Sequence, residues 1–278
     1  MKKFVFAVTI IVLTFQGASF SIGFNEFCSV IMRSTFKILG PNSLGTVIIL
    51  GRPNAKIPGS GNFILVTATH VLEAIPTDVA TLSLRIKSGD DYKLILVPVQ
   101  IRLKGAPLWV KHPQVDVAAM NVTLPKMADV TVCSTELLAT DELIKRYEIH
   151  PGDELLVLGF PLGVESNSSG FPVLRSAIIA NFPIVPIASY PTFLLDITVF
   201  PGNSGGPVIL DTRNRVYDGT LHPGSVNLVM GIVSQELVNT ERINSISETI
   251  LKQHRLSLAV AVHAKFIKEI IELLPVPE

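Results

Sequence analysis

The chain has little that would staple it, charge it or anchor it. Two cysteines occur in 278 residues, Cys28 and Cys133, which excludes a disulfide-dense scaffold. One bridge between them would close a loop of about a hundred residues, worth about 4–5 kcal/mol in the chain-entropy account. Two free thiols are the equal alternative, because pairing needs Cα atoms within about 7 Å. Neither sign of charge is in excess: Lys and Arg number 23, Asp and Glu number 23, and the formal net charge is zero. Nucleic acid is therefore not the expected partner, since phosphate binding needs a basic footprint. Beyond the first twenty residues no apolar run reaches the roughly 18–20 residues of a spanning helix. Nucleotide-binding loops, internal repeats and metal-ligand spacings are absent as well. His112, His150, His222, His254 and His263 are scattered and read as surface or capping residues. His112 and Asp116 stand four apart, but Pro113 between them breaks a shared helix face. No metal and no cofactor are expected.

What is present begins with a leader-like start. Lys2-Lys3, a mostly apolar stretch from Phe4 to Phe15 and then Gln16-Gly17-Ala18-Ser19 match a secretory signal over residues 1–21, and hence an exported, periplasmic or secreted protein. An uncleaved anchor is the alternative; membrane contact would then run through this segment alone. With 48 % hydrophobic and 17 % charged residues, the rest is long and apolar enough for one or two sizeable cores.

Strand-like runs recur between Gly, Pro, Asn and Asp punctuation: Thr46–Leu50, Phe63–Val66, Thr81–Ile86, Lys93–Val99 and Val115–Val122. Gly51 to Asn62 reads as a hairpin loop, and Ser134 to Tyr147 as a connector with a helical turn or two. A second set follows at Glu154–Leu158, Leu174–Ile179, Phe193–Val199, Pro207–Leu210, Leu228–Val233 and Ser257–Val262. The tail carries Phe266, Ile267, Ile270, Ile271 and Leu274 at helical spacing, with Lys and Glu opposite, which predicts a terminal amphipathic helix. The expected division is 22–133 for a first β unit, 134–150 for a connector and 151–278 for a second β unit plus helix.

Chemistry is concentrated in Phe200-Pro201-Gly202-Asn203-Ser204-Gly205-Gly206-Pro207. A serine hydroxyl is a weak nucleophile until a turn exposes it and a base takes its proton. Glycine supplies the backbone angles for such a turn, and the N–H groups of Gly202 and Ser204 are candidates to share one hollow and hold a developing oxyanion. A base is at hand in Ile64-Leu65-Val66-Thr67-Ala68-Thr69-His70. An acid is at hand in Val115-Asp116-Val117-Ala118, where an isolated carboxylate among apolar neighbours needs a hydrogen-bond donor. An imidazole N–H would supply it and fix the tautomer of a general base.

The order His70, Asp116, Ser204 and the wording around each resemble the trypsin/chymotrypsin-fold serine peptidases. The likeness is to the bacterial trypsin-like branch that includes the protease domain of the high-temperature-requirement proteases. Pro151-Gly152-Asp153, Gly159-Phe160-Pro161, Met230-Gly231-Ile232-Val233-Ser234 and the closing segment extend it from about residue 40 to the C-terminus. The resemblance implies an all-β fold of two six-stranded antiparallel barrels with a C-terminal helix; the residues after that helix are too few to build the PDZ domain common among such relatives, so none is expected. It implies a serine endopeptidase acting on protein or peptide substrates, with His70 as general base, Asp116 as its orienter, Ser204 as nucleophile and the backbone of Gly202, Asn203 and Ser204 around the oxyanion. Thr69 departs from the small residue usual before that histidine. Asn203 stands where zymogens of this fold carry Asp, so activation by a freshly cut N-terminal ammonium is not expected. Thr198, six before the nucleophile, is placed at the base of a specificity pocket with Val233 and Ser234 on its wall. These offer no anion, which predicts cleavage after small or medium apolar residues. A catalytically silent homologue that binds through the same cleft, and an esterase, are the alternatives.

Overall fold

Alternating apolar residues set the strands of both halves, as in Asp91–Gln100, where Ile95, Val97 and Val99 turn inward while Leu96 and Gln100 face water. The computed structural model describes residues 13–15, 18–20, 27–53, 61–244 and 249–275. The segment read as an export signal lies largely outside these; only a two-stranded hairpin, β1 (Leu13–Phe15) with β2 (Ala18–Phe20), belongs to it. Most of the expected loop between Gly51 and Asn62, residues 54–60, also lies outside them.

The first half runs α1 (Phe27–Ser34), β3 (Thr35–Gly40), β4 (Ser43–Pro53), β5 (Gly61–Thr67), α2 (Thr69–Glu73), β6 (Val79–Ser88), β7 (Asp91–Gln100), β8 (Arg102–Leu103), β9 (Ala106–Pro107), β10 (Val110–Lys111) and β11 (Ala118–Val122). A connector follows with β12 (Cys133–Ser134), a 3-10 turn at Thr135–Leu137 and α3 (Asp141–Arg146). The second half holds β13 (Glu154–Gly159), β14 (Val173–Ile179), β15 (Thr192–Asp196), β16 (Pro207–Tyr217), β17 (Thr220–Asn244), β18 (Thr249–His263) and α4 (Ala264–Glu272).

The second half closes as an antiparallel six-stranded barrel in the order β13-β14-β15-β18-β17-β16. The first is a sheet in the order β10-β11-β5-β4-β3-β6-β7, with β12 added parallel to β4. It therefore has eight strands and an unclosed ladder where six antiparallel strands were expected. The two extra members, β10 and β12, are two-residue strands at its margins. Sequence also undercounts the strand residues near the second site wall. β17 spans 25 residues because it pairs with β16 along one part of its length and with β18 along the other.

Two cores result. One fills the first sheet around Phe36, Ile49, Leu65 and Leu82; the other runs from the second barrel to α1 and α4. Helix α4 buries Phe266, Ile267, Ile270 and Ile271 and packs on β11, β17 and β18, so it bridges the halves. Each such side chain contributes about 1.5–3 kcal/mol of burial. Two histidines correct the surface reading: His112 is buried at 8 % exposure and His263 is fully enclosed. Both sit where α4 meets the barrels, His112 against Phe266 and His263 against Phe193. The cysteines are free: Cys28 Sγ donates to Asp211 Oδ2 at 3.0 Å and Cys133 is buried near its own Ser134 carbonyl.

Candidate active site

Strand β5 ends at Thr67, and the chain turns at Ala68 into the single-turn helix α2, which carries His70 in its first turn. A first-turn N–H has no partner within its helix. Here the His70 N–H donates to Asp116 Oδ1 at 3.1 Å, while the ring Nδ1 meets Asp116 Oδ2 at 2.7 Å. An ionised carboxylate only accepts, so Nδ1 carries the proton and Nε2 is left as an acceptor.

Asp116 reaches His70 because the expected strand Val115–Val122 does not begin at Val115. The ladder starts at Ala118; Val115–Val117 fold into a tight turn closed by Val117 N–H to the Val115 carbonyl at 2.9 Å. That turn lifts Asp116 off the sheet. His112 braces the same loop: its N–H donates to the Val117 carbonyl, its Nδ1 accepts from Gln114 N–H at 3.2 Å, and its Nε2 lies 3.3 Å from Glu269 on α4.

The third bond to Asp116 comes from the second barrel. The register of β17 against β18 shifts between Val233 and Gln235, leaving Ser234 out of the pairing. Such a bulge re-aims a side chain, and Ser234 Oγ donates to Asp116 Oδ2 at 2.6 Å. Burial alone would raise the Asp116 pKa; the hydrogen bonds from His70 and Ser234 outweigh it and hold the carboxyl below its usual range.

Ser204 lies between two turns, Phe200–Asn203 and Asn203–Gly206, each closed by an N–H to a carbonyl three residues back at 2.9 Å. Gly202 takes the third position of the first turn at φ +98°, as a type II turn requires. Donor accounting then identifies the hollow. Asn203 N–H goes to Phe200, Gly205 N–H to Val233 and Gly206 N–H to Asn203. Among the described residues, the N–H groups of Gly202 and Ser204 have no acceptor. The Pro201 carbonyl is held by Leu162 N–H at 2.7 Å and the Asn203 carbonyl by Gly206 N–H. A trans peptide sets N–H opposite C=O, so each free N–H points away from the group that holds its carbonyl, Leu162 for Gly202 and Gly206 for Ser204. Asn203 is thus corrected out of the oxyanion set. Its amide N–H is committed, and its side-chain Oδ1 accepts from Phe200 N–H at 3.0 Å within the same turn.

The turn is stitched to the first sheet through Thr46, whose N–H donates to the Ser204 carbonyl at 2.9 Å and whose hydroxyl donates to the Gly202 carbonyl at 2.6 Å. The Ser204 hydroxyl itself donates to the Ser234 carbonyl at 3.2 Å. His70, Asp116, Gly202, Ser204, Val233 and Ser234 all line one open cleft of about 840 Å³ between the halves.

Thr198 is the second correction: it does not line that cleft. It alternates with buried Ile197 and Val199, and its hydroxyl donates away to Ser257 Oγ at 2.9 Å. Val199 takes its place on the wall, facing Val260 and Val262 from β18. Sequence reasoning missed one lining residue of consequence, Glu236. It stands two residues beyond Ser234, and only the bulge at Ser234 shows which face it takes. After Ser204 the chain enters strand β16, where an α/β-hydrolase would have a helix. Among the described residues no cluster of His, Cys, Asp or Glu could hold a metal ion and no helix is long and apolar enough to cross a membrane.

No family model matches the chain, and no curated protein matches it in sequence. Among solved structures it is similar to Rv3671c from M. tuberculosis H37Rv, in an inactive form carrying a serine-to-alanine substitution. Identity is 17 % over 91 % of this chain and 94 % of that one, with a TM-score of 0.48. An inactive form of the Rv3671c protease gives 16 % identity, the same coverages and a TM-score of 0.45.

Proposed function

We propose that the protein is a serine endopeptidase that cleaves peptide bonds of protein substrates through an acyl-enzyme. The observation that carries this reading is that His70, bonded through Nδ1 to Asp116, lines the same cleft as Ser204 and two unengaged backbone N–H groups. In the proposed step Ser204 Oγ leaves the Ser234 carbonyl, donates to His70 Nε2 and attacks the substrate carbonyl carbon as Nε2 takes its proton. Charge then collects on the former carbonyl oxygen, where the N–H groups of Gly202 and Ser204 receive it; one such donor is worth about 10²–10³ in rate. Asp116 stays ionised and stabilises the imidazolium. His70 returns the proton to the leaving amine, and water repeats the sequence on the ester.

Asn203 closes its turn with its own side chain, so the hollow forms without an external ammonium, and activation by N-terminal cutting is not part of the proposal. Export through the N-terminal segment is. The test is hydrolysis of casein by the protein, by Ser204→Ala and by His70→Ala, with folding checked by circular dichroism. Cleavage that drops by about 10³-fold or more in both variants supports the reading. Undiminished cleavage in either, or none in the parent protein, overturns it.

A further inference from the structure

The cleft contains a carboxylate that the proposed chemistry does not use. Glu236 follows the bulge at Ser234 and precedes a second register shift at Val238, so only Gln235 and Glu236 are paired between two irregularities. Its side chain is 14 % exposed and lines the cleft beyond Ser204. The same cleft is also lined by Val199, Val233, Val260 and Val262, along with Ser234 and Gln235. Glu236 Oε1 is buried with no hydrogen-bond donor, and Oε2 has only a 3.4 Å approach from the Arg255 guanidinium. Arg255 also donates to the Val199 carbonyl at 3.4 Å and lies 4.8 Å over the Phe200 ring. Asp116, the other carboxylate of the cleft, already accepts three hydrogen bonds, from the His70 N–H, the His70 ring and Ser234.

A shielded carboxylate oxygen without a donor is unfavourable by itself, and a charged donor satisfies it best. We infer that Glu236 is the specificity residue of the cleft and takes a cationic side chain, lysine or arginine, of the peptide substrate. The aliphatic stem of such a residue lies along the valines and its head displaces Arg255 from Glu236. This deepens the endopeptidase reading and rests on it. It replaces the apolar preference expected from Thr198, since the anion missing at that position enters from β17. Arg255 becomes an internal competitor, exposed enough to swing aside at 45 % side-chain exposure.

The experiment uses ligands of one shape and three charges, benzamidine, benzamide and benzoate. Binding to the full chain is measured by calorimetry, in parallel with labelling of Ser204 by a neutral fluorophosphonate. Benzamidine is expected to bind about tenfold or more tighter than benzamide, to lose that margin in Glu236→Gln, and to gain about threefold or more in Arg255→Met, which removes the competitor. Labelling is expected to persist in both variants and to be slowed by benzamidine. Tighter binding of benzoate, lost in Arg255→Met, would overturn the inference in favour of an anionic substrate. Equal binding of all three, or a benzamidine margin unmoved by Glu236→Gln, would also overturn it. Ser204 labelling in those cases leaves the endopeptidase reading standing, whereas absence of labelling strikes that reading irrespective of how the ligands bind.

Discussion

Single residues here are tuned by burial and by one or two hydrogen bonds. Ser234 supplies one of three donors to Asp116, and a hydrogen bond to a charged group contributes about 1.5–3 kcal/mol. Ser234→Ala is therefore expected to lower kcat/KM about tenfold or more, beyond the loss of about 1–3 kcal/mol in stability that the same bond implies; an unchanged rate would remove Ser234 from the account. His263 is enclosed without a hydrogen-bond partner on either ring nitrogen. Burial pushes its pKa down to about 4 from a usual 6.5, opposed only weakly by Asp141. Between those values the unfolded chain binds a proton that the folded chain does not, so stability is full above about pH 6.5. It falls as pH drops toward 4, by up to about 3 kcal/mol. Urea unfolding at pH 7 and pH 4.5 should show that loss, and His263→Phe should flatten it. The thiols follow the same logic. Burial, and for Cys28 also the hydrogen bond and charge of Asp211, push both cysteines up to about 12. Neither is expected to react with iodoacetamide at pH 8 until the protein is unfolded, when two equivalents should be taken up.

At the scale of elements, the decisive units are turns. Gly205 at φ +83° lies so close to the first sheet that an added Cβ would stand 2.1 Å from the Thr46 carbonyl. Gly205→Ala is expected to cost about 3 kcal/mol or more and to abolish activity, whereas Gly219→Ala, at a similar φ with open space around it, should cost about 1 kcal/mol and spare the active site. The strands on either side of these turns were readable from alternating Val, Ile and Leu, and the terminal helix from its 3.6-residue period. His70 and Asp116 drew notice as polar residues beside apolar runs and Ser204 by the glycine-rich turn around it, and all three line one cleft. What period-2 patterning could not convey is where pairing fails. The turn at Val115–Val117 and the bulge at Ser234 look like continuing strand in sequence, yet they aim Asp116, Ser234 and Glu236. Thr198 was misplaced for the same reason: its face depends on the alternation after β15, which residue counting from Ser204 does not track. Helix α1 and strand β3 were missed because Cys28 to Leu39 carries no Gly, Pro, Asn or Asp between two short elements.

The whole molecule depends on how two β units are held with a cleft between them. Arg85 is one polar tie between them. Its guanidinium lies between the rings of Phe36 and Phe171, at 4.3 and 4.2 Å, and donates to carbonyls of Met32, Arg33 and Thr35 and, across the interface, to Gly170. Removing it leaves four carbonyls to find new donors, so Arg85→Met is expected to lower stability by about 3 kcal/mol; urea titration measures it, and a change under about 0.5 kcal/mol would assign the docking to α4 and Thr46 instead. With that docking in place, His70 and Asp116 come from the first unit, while Ser204 and its two free N–H groups come from the second. The claim that these act together is tested most directly by mapping where a fluorophosphonate attaches. The expected result is one adduct per chain on the peptide containing Ser204, with none on folded His70→Ala. An adduct elsewhere, or equal labelling of Ser204 without His70, would contradict it.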